Sequence, residues 1–259
     1  MSSSSSSGIV FDPAEAARQF LTPKRRADSR GISEDRIWIG GPSGRIAVTQ
    51  AGTGPLVMLV HGWDGEAADL KAFVPGLLNA GYRVIAPDLP GHGFSEGALA
   101  SIPACADALV ALQRQFGNLH AAVAHSIGCP ITILAASKGL AVETLALLAA
   151  PARYVDYARE FAKQTRLDSR QAELPIAALK NMGVDVESLS LPTIAPGLRQ
   201  RALFIHSADD RVVPMADGLE TAGAWPRSRL LQVDGLGHRR ILRDPAVVEA
   251  VLGFVNAEP

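Results

Sequence analysis

The spacing of hydrophobic positions changes repeatedly along the chain. Residues 36–39 and 45–50 alternate polar and apolar, with Gly40, Gly41, Pro42 and Gly44 between them, which predicts an antiparallel hairpin. Leu56–Val60 is a continuous apolar run, the pattern of a strand covered on both faces. Residues 67–80 carry helical periodicity and stop before Gly81, and residues 82–86 predict the next strand. Ile102–Phe116 predicts a helix with Ser101 as N-cap, Pro103 in its first turn and Gly117 beyond its end. Strands over 120–124, 144–148, 202–206 and 230–233 then alternate with helices over 127–138, Met215–Ala224 and 246–256. Strands separated by helices imply parallel pairing through right-handed crossovers. The expected fold class is therefore α/β, with about eight strands in one mostly parallel sheet, helices on both faces and the hairpin as an antiparallel edge.

Two stretches fall outside this rhythm. Residues 1–31 begin with Met1 and six serines, continue through a short amphipathic stretch over 13–21 and end near the basic cluster at 24–26. They are read as a flexible tail, with the basic cluster as solvated linker. Residues 153–201 are polar, helical over 155–165 and 174–182, and carry Pro175, Pro192 and Pro196. An excursion this long between two strands is usually functional. It is read as a small helical cap over the carboxyl ends of the strands, where open α/β sheets bind ligands. The core is then 32–152 together with 202–259.

Composition narrows the function. In 259 residues, 25 basic side chains face 26 acidic ones, so no concentrated positive charge points to nucleic acid. No apolar run approaches the roughly 20 residues of a membrane span. The N-terminus has neither a basic n-region nor an apolar h-region, so no Sec-type signal is expected. Two cysteines, Cys105 and Cys129, make no disulfide framework, and a reducing cytoplasm is the expected compartment. The six histidines, at 61, 92, 120, 125, 206 and 238, are well separated, so no metal site is expected.

Four segments carry chemistry. Ala124-His125-Ser126-Ile127-Gly128 lies between a predicted strand and a predicted helix, the context of a nucleophile elbow. There the Ser126 hydroxyl stands above the sheet, and the Ile127 amide is an unpaired donor in the first helical turn. His125 points away from that hydroxyl, because strand neighbours face opposite sides. His61-Gly62-Trp63 ends the first buried strand, where the Trp63 amide can face Ser126 as a second donor. Residues 206–214 follow another strand and contain Asp209 and Asp210, either of which would place a carboxylate at the same sheet edge. Gly235-Leu236-Gly237-His238 follows the last strand, and a histidine in a Gly-rich loop is read as a working base. Asp88 to Ser95 forms a compact loop read as structural, with His92 and Ser95 outside the chemistry. Cys129 is read as a small buried apolar residue.

With these motifs in the order Ser, Asp, His, the chain resembles the α/β-hydrolase superfamily, in particular its small single-domain serine hydrolases, over residues 37–255. The resemblance implies the α/β-hydrolase fold, Ser126 as nucleophile, His238 as base and Asp210 as orienting acid. The family pattern sets the acid just before a turn ending in Val-Pro, here Val213-Pro214, which favours Asp210 over Asp209. It further implies the Trp63 and Ile127 amides as oxyanion donors, and no cofactor. Ala124 stands where glycine is commoner, and Cys129 where many relatives have a second glycine.

The expected activity is hydrolysis of small carboxylic esters through an acyl-enzyme, rising with pH as the base loses its proton. Thioesters, lactones and carbon–carbon bonds are alternatives on the same triad, and a slow ligand receptor is the non-enzymatic one. Ser126 disfavours epoxide hydrolases and dehalogenases, which use an aspartate. Trp63, Tyr154 and Tyr157 are the expected apolar substrate walls, although each also serves simply to pack the cap.

Overall fold

The computed structural model describes residues 11–25, 36–164, 171 and 173–257. Its strands are β1 (Arg36–Gly41), β2 (Gly44–Ala51), β3 (Leu56–Val60), β4 (Arg83–Pro87), β5 (Leu119–His125), β6 (Val142–Leu148), β7 (Arg201–Ser207) and β8 (Ser228–Val233). They form one eight-stranded sheet in the order β1-β2-β4-β3-β5-β6-β7-β8. β1 pairs antiparallel with β2, and β2 with β4; every other pairing is parallel. This is the mostly parallel α/β sheet with an antiparallel edge hairpin that the alternation predicts.

β3 shows why a continuous apolar run suits a central strand. Leu56, Met58 and Val60 face one core layer, with Leu109 and Leu112 of α3 (Ile102–Phe116). Val57 and Leu59 face the other, with Phe73, Leu77, Val251 and Phe254. The period of two persists, but both faces are dry. α3 begins where its cap predicts, with the Ser101 hydroxyl accepting the Ala104 amide at 3.3 Å.

Three expectations are corrected. The single helix over 67–80 is instead a 3₁₀ helix, Ala67–Phe73, followed by α2 (Val74–Asn79). Pro75 has no N–H to donate back into the preceding turn, so the segment restarts there. The flexible tail does not hold for residues 11–25. Pro13–Phe20 is a helix, α1, capped by Asp12, with Ala16, Ala17 and Leu21 buried. Beyond it the Arg25 guanidinium, far from being solvated linker, donates to three loop carbonyls. The remaining residues of 1–31 lie outside the described ones, as do residues 165–170 of the predicted cap. The third correction is that His238 sits in a helical turn, α9 (Gly237–Arg240), and not in an open loop.

The 153–201 insertion leaves from the carboxyl end of β6. It holds α5 (Tyr154–Gln164), α6 (Glu173–Asn181), α7 (Leu191–Ile194) and a 3₁₀ turn, Ala195–Gly197. α5 and α6 pack on α1, while α7 packs on α4 (Gly128–Ser137) and α8 (Met215–Ala224). The last helix is α10 (Pro245–Asn256). Among the described residues no helix is long and apolar enough to cross a membrane.

Candidate active site

β5 delivers Ser126 to the carboxyl edge of the sheet, where the chain must turn into α4 within two residues. Ser126 has φ 53°, a left-handed value that costs a side-chain-bearing residue energy and that tight turns at active sites often hold. The turn is pinned by Ser126 N–H donating to the Leu148 carbonyl at 2.9 Å and Cys129 N–H donating to the Ser126 carbonyl at 2.9 Å. Gly128 lets α4 approach the end of β3, since a Cβ there would lie 2.6 Å from the His61 carbonyl oxygen and 2.7 Å from that of Val60. The buried Cys129 thiol donates to the Ala124 and Leu148 carbonyls, and burial pushes its pKa up, so it is the inert residue read from the sequence.

His238 closes on this turn from α9. Its Nε2 lies 3.0 Å from Ser126 Oγ, and its Nδ1 2.8 Å from Asp210 Oδ2. The other Asp210 oxygen accepts the amides of Val212 at 2.8 Å and Val213 at 3.0 Å. Burial works to raise this carboxyl, but the hydrogen bonds from His238 and the two amides outweigh it and hold Asp210 below the usual value. A carboxylate accepting from Nδ1 leaves Nε2 unprotonated toward Ser126. Ser126, Asp210 and His238 therefore meet in one hydrogen-bonded chain.

Asp209 has a separate place. It accepts the Ser207 hydroxyl and, at 3.0 Å, the Gly237 amide, and these bonds hold its carboxyl low. Ser207 Oγ in turn accepts the Leu236 and Gly237 amides. The neighbouring aspartate thus anchors the backbone that presents His238.

His125 is a contributor that the sequence reading missed. Its side chain donates from Nε2 to the His238 carbonyl at 2.8 Å. The two rings lie 4.7 Å apart, centre to centre. Burial pushes the His125 pKa down to about 3, so it stays neutral beside the base. No sequence signal marks this contact between residues 113 positions apart.

The Trp63 turn runs beside the nucleophile: a Cβ on Gly62 would lie 3.1 Å from Ser126 Cβ. Among the described residues, neither the Trp63 amide nor the Ile127 amide donates to another protein group. His61 fixes the turn by donating from Nδ1 to the Gly62 carbonyl at 2.7 Å while its Nε2 accepts the Leu89 amide at 2.9 Å. The 88–95 loop is built as scaffold: Asp88 accepts the Ala67 and Phe94 amides, and the Ser95 hydroxyl donates to the Asp88 carbonyl. His92 is buried, pushed by that burial to about 3, and its ring meets Trp63 edge-on at 5.1 Å.

The two cap tyrosines differ. Tyr154 is buried against Phe20 of α1, with ring centres 5.4 Å apart. Tyr157 is half-buried, and its hydroxyl is raised first by burial and then by the charges of Asp217 and Asp210. Both hydroxyls are buried without a hydrogen-bond partner among the described residues. Within the same residues no group of three or more His, Cys, Asp or Glu side chains is arranged to hold a metal ion.

A parallel sheet with a strained serine at a strand–helix turn, answered by a histidine beyond the last strand, defines a class, and residues 57–251 match the model of the alpha/beta hydrolase family. The chain belongs to that family. It is 27% identical over 251 residues to a pimeloyl-[acyl-carrier protein] methyl ester esterase of Xanthomonas campestris, a match covering 80% of this chain and 98% of the relative. Among solved structures, an esterase from Exiguobacterium antarcticum superposes with TM-score 0.69 at 20% identity, covering 85% of this chain and 99% of the other. A meta-cleavage product hydrolase from Pseudomonas fluorescens superposes with TM-score 0.66 at 20% identity, covering 85% and 97%. The two structures share the fold.

Proposed function

We propose that the protein is a serine hydrolase that cleaves carboxylic esters through an acyl-enzyme. The observation that carries this reading is the continuous chain from Asp210 through His238 to a Ser126 hydroxyl held at 3.0 Å. Ser126 Oγ attacks the ester carbonyl carbon while His238 Nε2 takes its proton. The carbonyl oxygen becomes an oxyanion and is met by the Trp63 and Ile127 amides. The C–O bond to the alcohol then breaks, and the imidazolium returns its proton to the departing oxygen. Water attacks the acyl-serine with His238 as base, releasing the acid and restoring Ser126. Asp210 holds the imidazole tautomer and stabilises its positive charge throughout.

The 27% identical relative is a methyl ester esterase by name, which supports an ester as the scissile group. Trp63 and Tyr157 serve as substrate walls, while Tyr154 is buried against Phe20. No cofactor enters the reaction. Hydrolysis of short p-nitrophenyl esters is the test. The wild type turns over, and Ser126→Ala and His238→Ala lose at least about 10³ in kcat with unchanged circular dichroism. Undiminished turnover in Ser126→Ala removes the proposal. Coenzyme A thioesters and lactones in the same panel rank the acyl chemistries.

A further inference from the structure

Residues 11–25 precede the part of the chain that matches the family, yet they reach three parts of the site. Phe20 meets Tyr154 at 5.4 Å and Phe161 at 5.5 Å, both on α5 of the insertion. The Leu21 carbonyl accepts the Ala100 amide at 2.7 Å, and Pro23 is buried with its ring close to Gly91. The Arg25 guanidinium donates to the carbonyls of Gly93 at 3.1 Å, Ser95 at 2.8 Å and Gly97 at 2.9 Å. Between these contacts, the Lys24 amide donates to Asp64 Oδ1 at 2.7 Å.

Asp64 immediately follows Trp63 and has φ 55°. Aspartate tolerates a left-handed φ better than most residues, and a side-chain partner then fixes it in that conformation. Its side chain is held by the backbone of the N-terminal segment, and that segment is itself fixed to the 91–100 loop. The Trp63–Asp64 turn therefore has a support outside the family's own sheet and helices.

We propose that Asp64 is a positioning residue for the oxyanion, and that residues 11–25 form a brace which, through Asp64, sets the Trp63 amide relative to Ser126. This rests on the ester-hydrolase reading, in which that amide binds the developing charge. An oxyanion donor acts on the transition state more than on bound substrate. Loosening it therefore lowers kcat with little change in KM.

The test uses full-length Asp64→Ala, Asp64→Asn and Arg25→Ala with p-nitrophenyl esters, alongside amide hydrogen exchange over residues 61–66. Asp64→Ala loses about tenfold or more in kcat, with KM within about twofold, and exchanges faster over the turn. Asp64→Asn keeps both an acceptor oxygen and a tolerance for left-handed φ, and stays within about threefold of wild type. Arg25→Ala moves in the same direction as Asp64→Ala by a smaller factor, and it decides the matter should Asp64→Ala not fold. Wild-type kcat and exchange in both Asp64→Ala and Arg25→Ala, with Ser126→Ala inactive, overturn the brace and leave the hydrolase reading standing. If Ser126→Ala keeps its turnover, the hydrolase reading falls and the oxyanion role falls with it, while faster exchange in Asp64→Ala still upholds the physical brace.

Discussion

At the scale of single residues, adjacent aspartates do different work because the chain turns between them. Asp210 reaches the imidazole, and Asp209 reaches the Gly237 amide one residue before it. Asp210→Asn should lower kcat/KM by about 10⁴, since an amide in that position no longer stabilises the charged imidazole. Asp209→Asn keeps an acceptor for Gly237 and should cost less than about tenfold. Steady-state kinetics on one ester decides the assignment, and the reverse order of losses would make Asp209 the acid. The sequence carried much of this: Ser126 and His238 were readable because small residues and glycines bracket them at strand ends. The His125 bond to the His238 carbonyl was not, because it joins positions whose proximity exists only after β5 and β8 lie in one sheet.

At the scale of elements, the join between β5 and α4 depends on close approach to β3. A methyl at residue 128 would meet backbone oxygens of residues 60 and 61 at under 3 Å, and neither can rotate away. Gly128→Ala should therefore displace α4, move the Ile127 amide and reduce ester turnover by about 10²-fold, with a lowered melting temperature. Wild-type activity in that variant would show that the junction has slack. Element boundaries were well marked where a cap or glycine stands, as at Ser101 and Gly117. They were misjudged at Pro75, where helical periodicity continues but the backbone donor does not. The amphipathic stretch 13–21 reads in the sequence only as part of a flexible tail, because a periodic apolar face does not name its partner. Phe20 finds one on α5, far along the chain.

At the scale of the whole molecule, two core layers enclose the sheet, and several ionisable groups are caught within or beside them. His92 and His125 have pKa values pushed down to about 3 by burial, against an ordinary value near 6.5. Between those values the unfolded chain binds protons that the native state refuses, so stability rises with pH there. It is complete above about pH 6.5 and drains away as pH falls toward 3. Asp210 and Asp209, both held low, add to the loss at the acidic end as pH falls through their folded values. Melting temperature measured against pH should thus be flat above about 7 and decline from about 6.5 downward. A curve that stays flat to pH 4 would mean that these histidines are protonated in place. Net charge of −1 offers no competing long-range repulsion near neutrality.

Ser126 follows β5, while His238 follows β8, which lies at the border of the sheet and, among the described residues, pairs only with β7. The serine precedes the histidine by 112 residues along the chain, so their hydrogen bond forms only once that final strand has joined the sheet. On the proposed mechanism, detaching that one border strand would withdraw His238 from Ser126 and stop turnover.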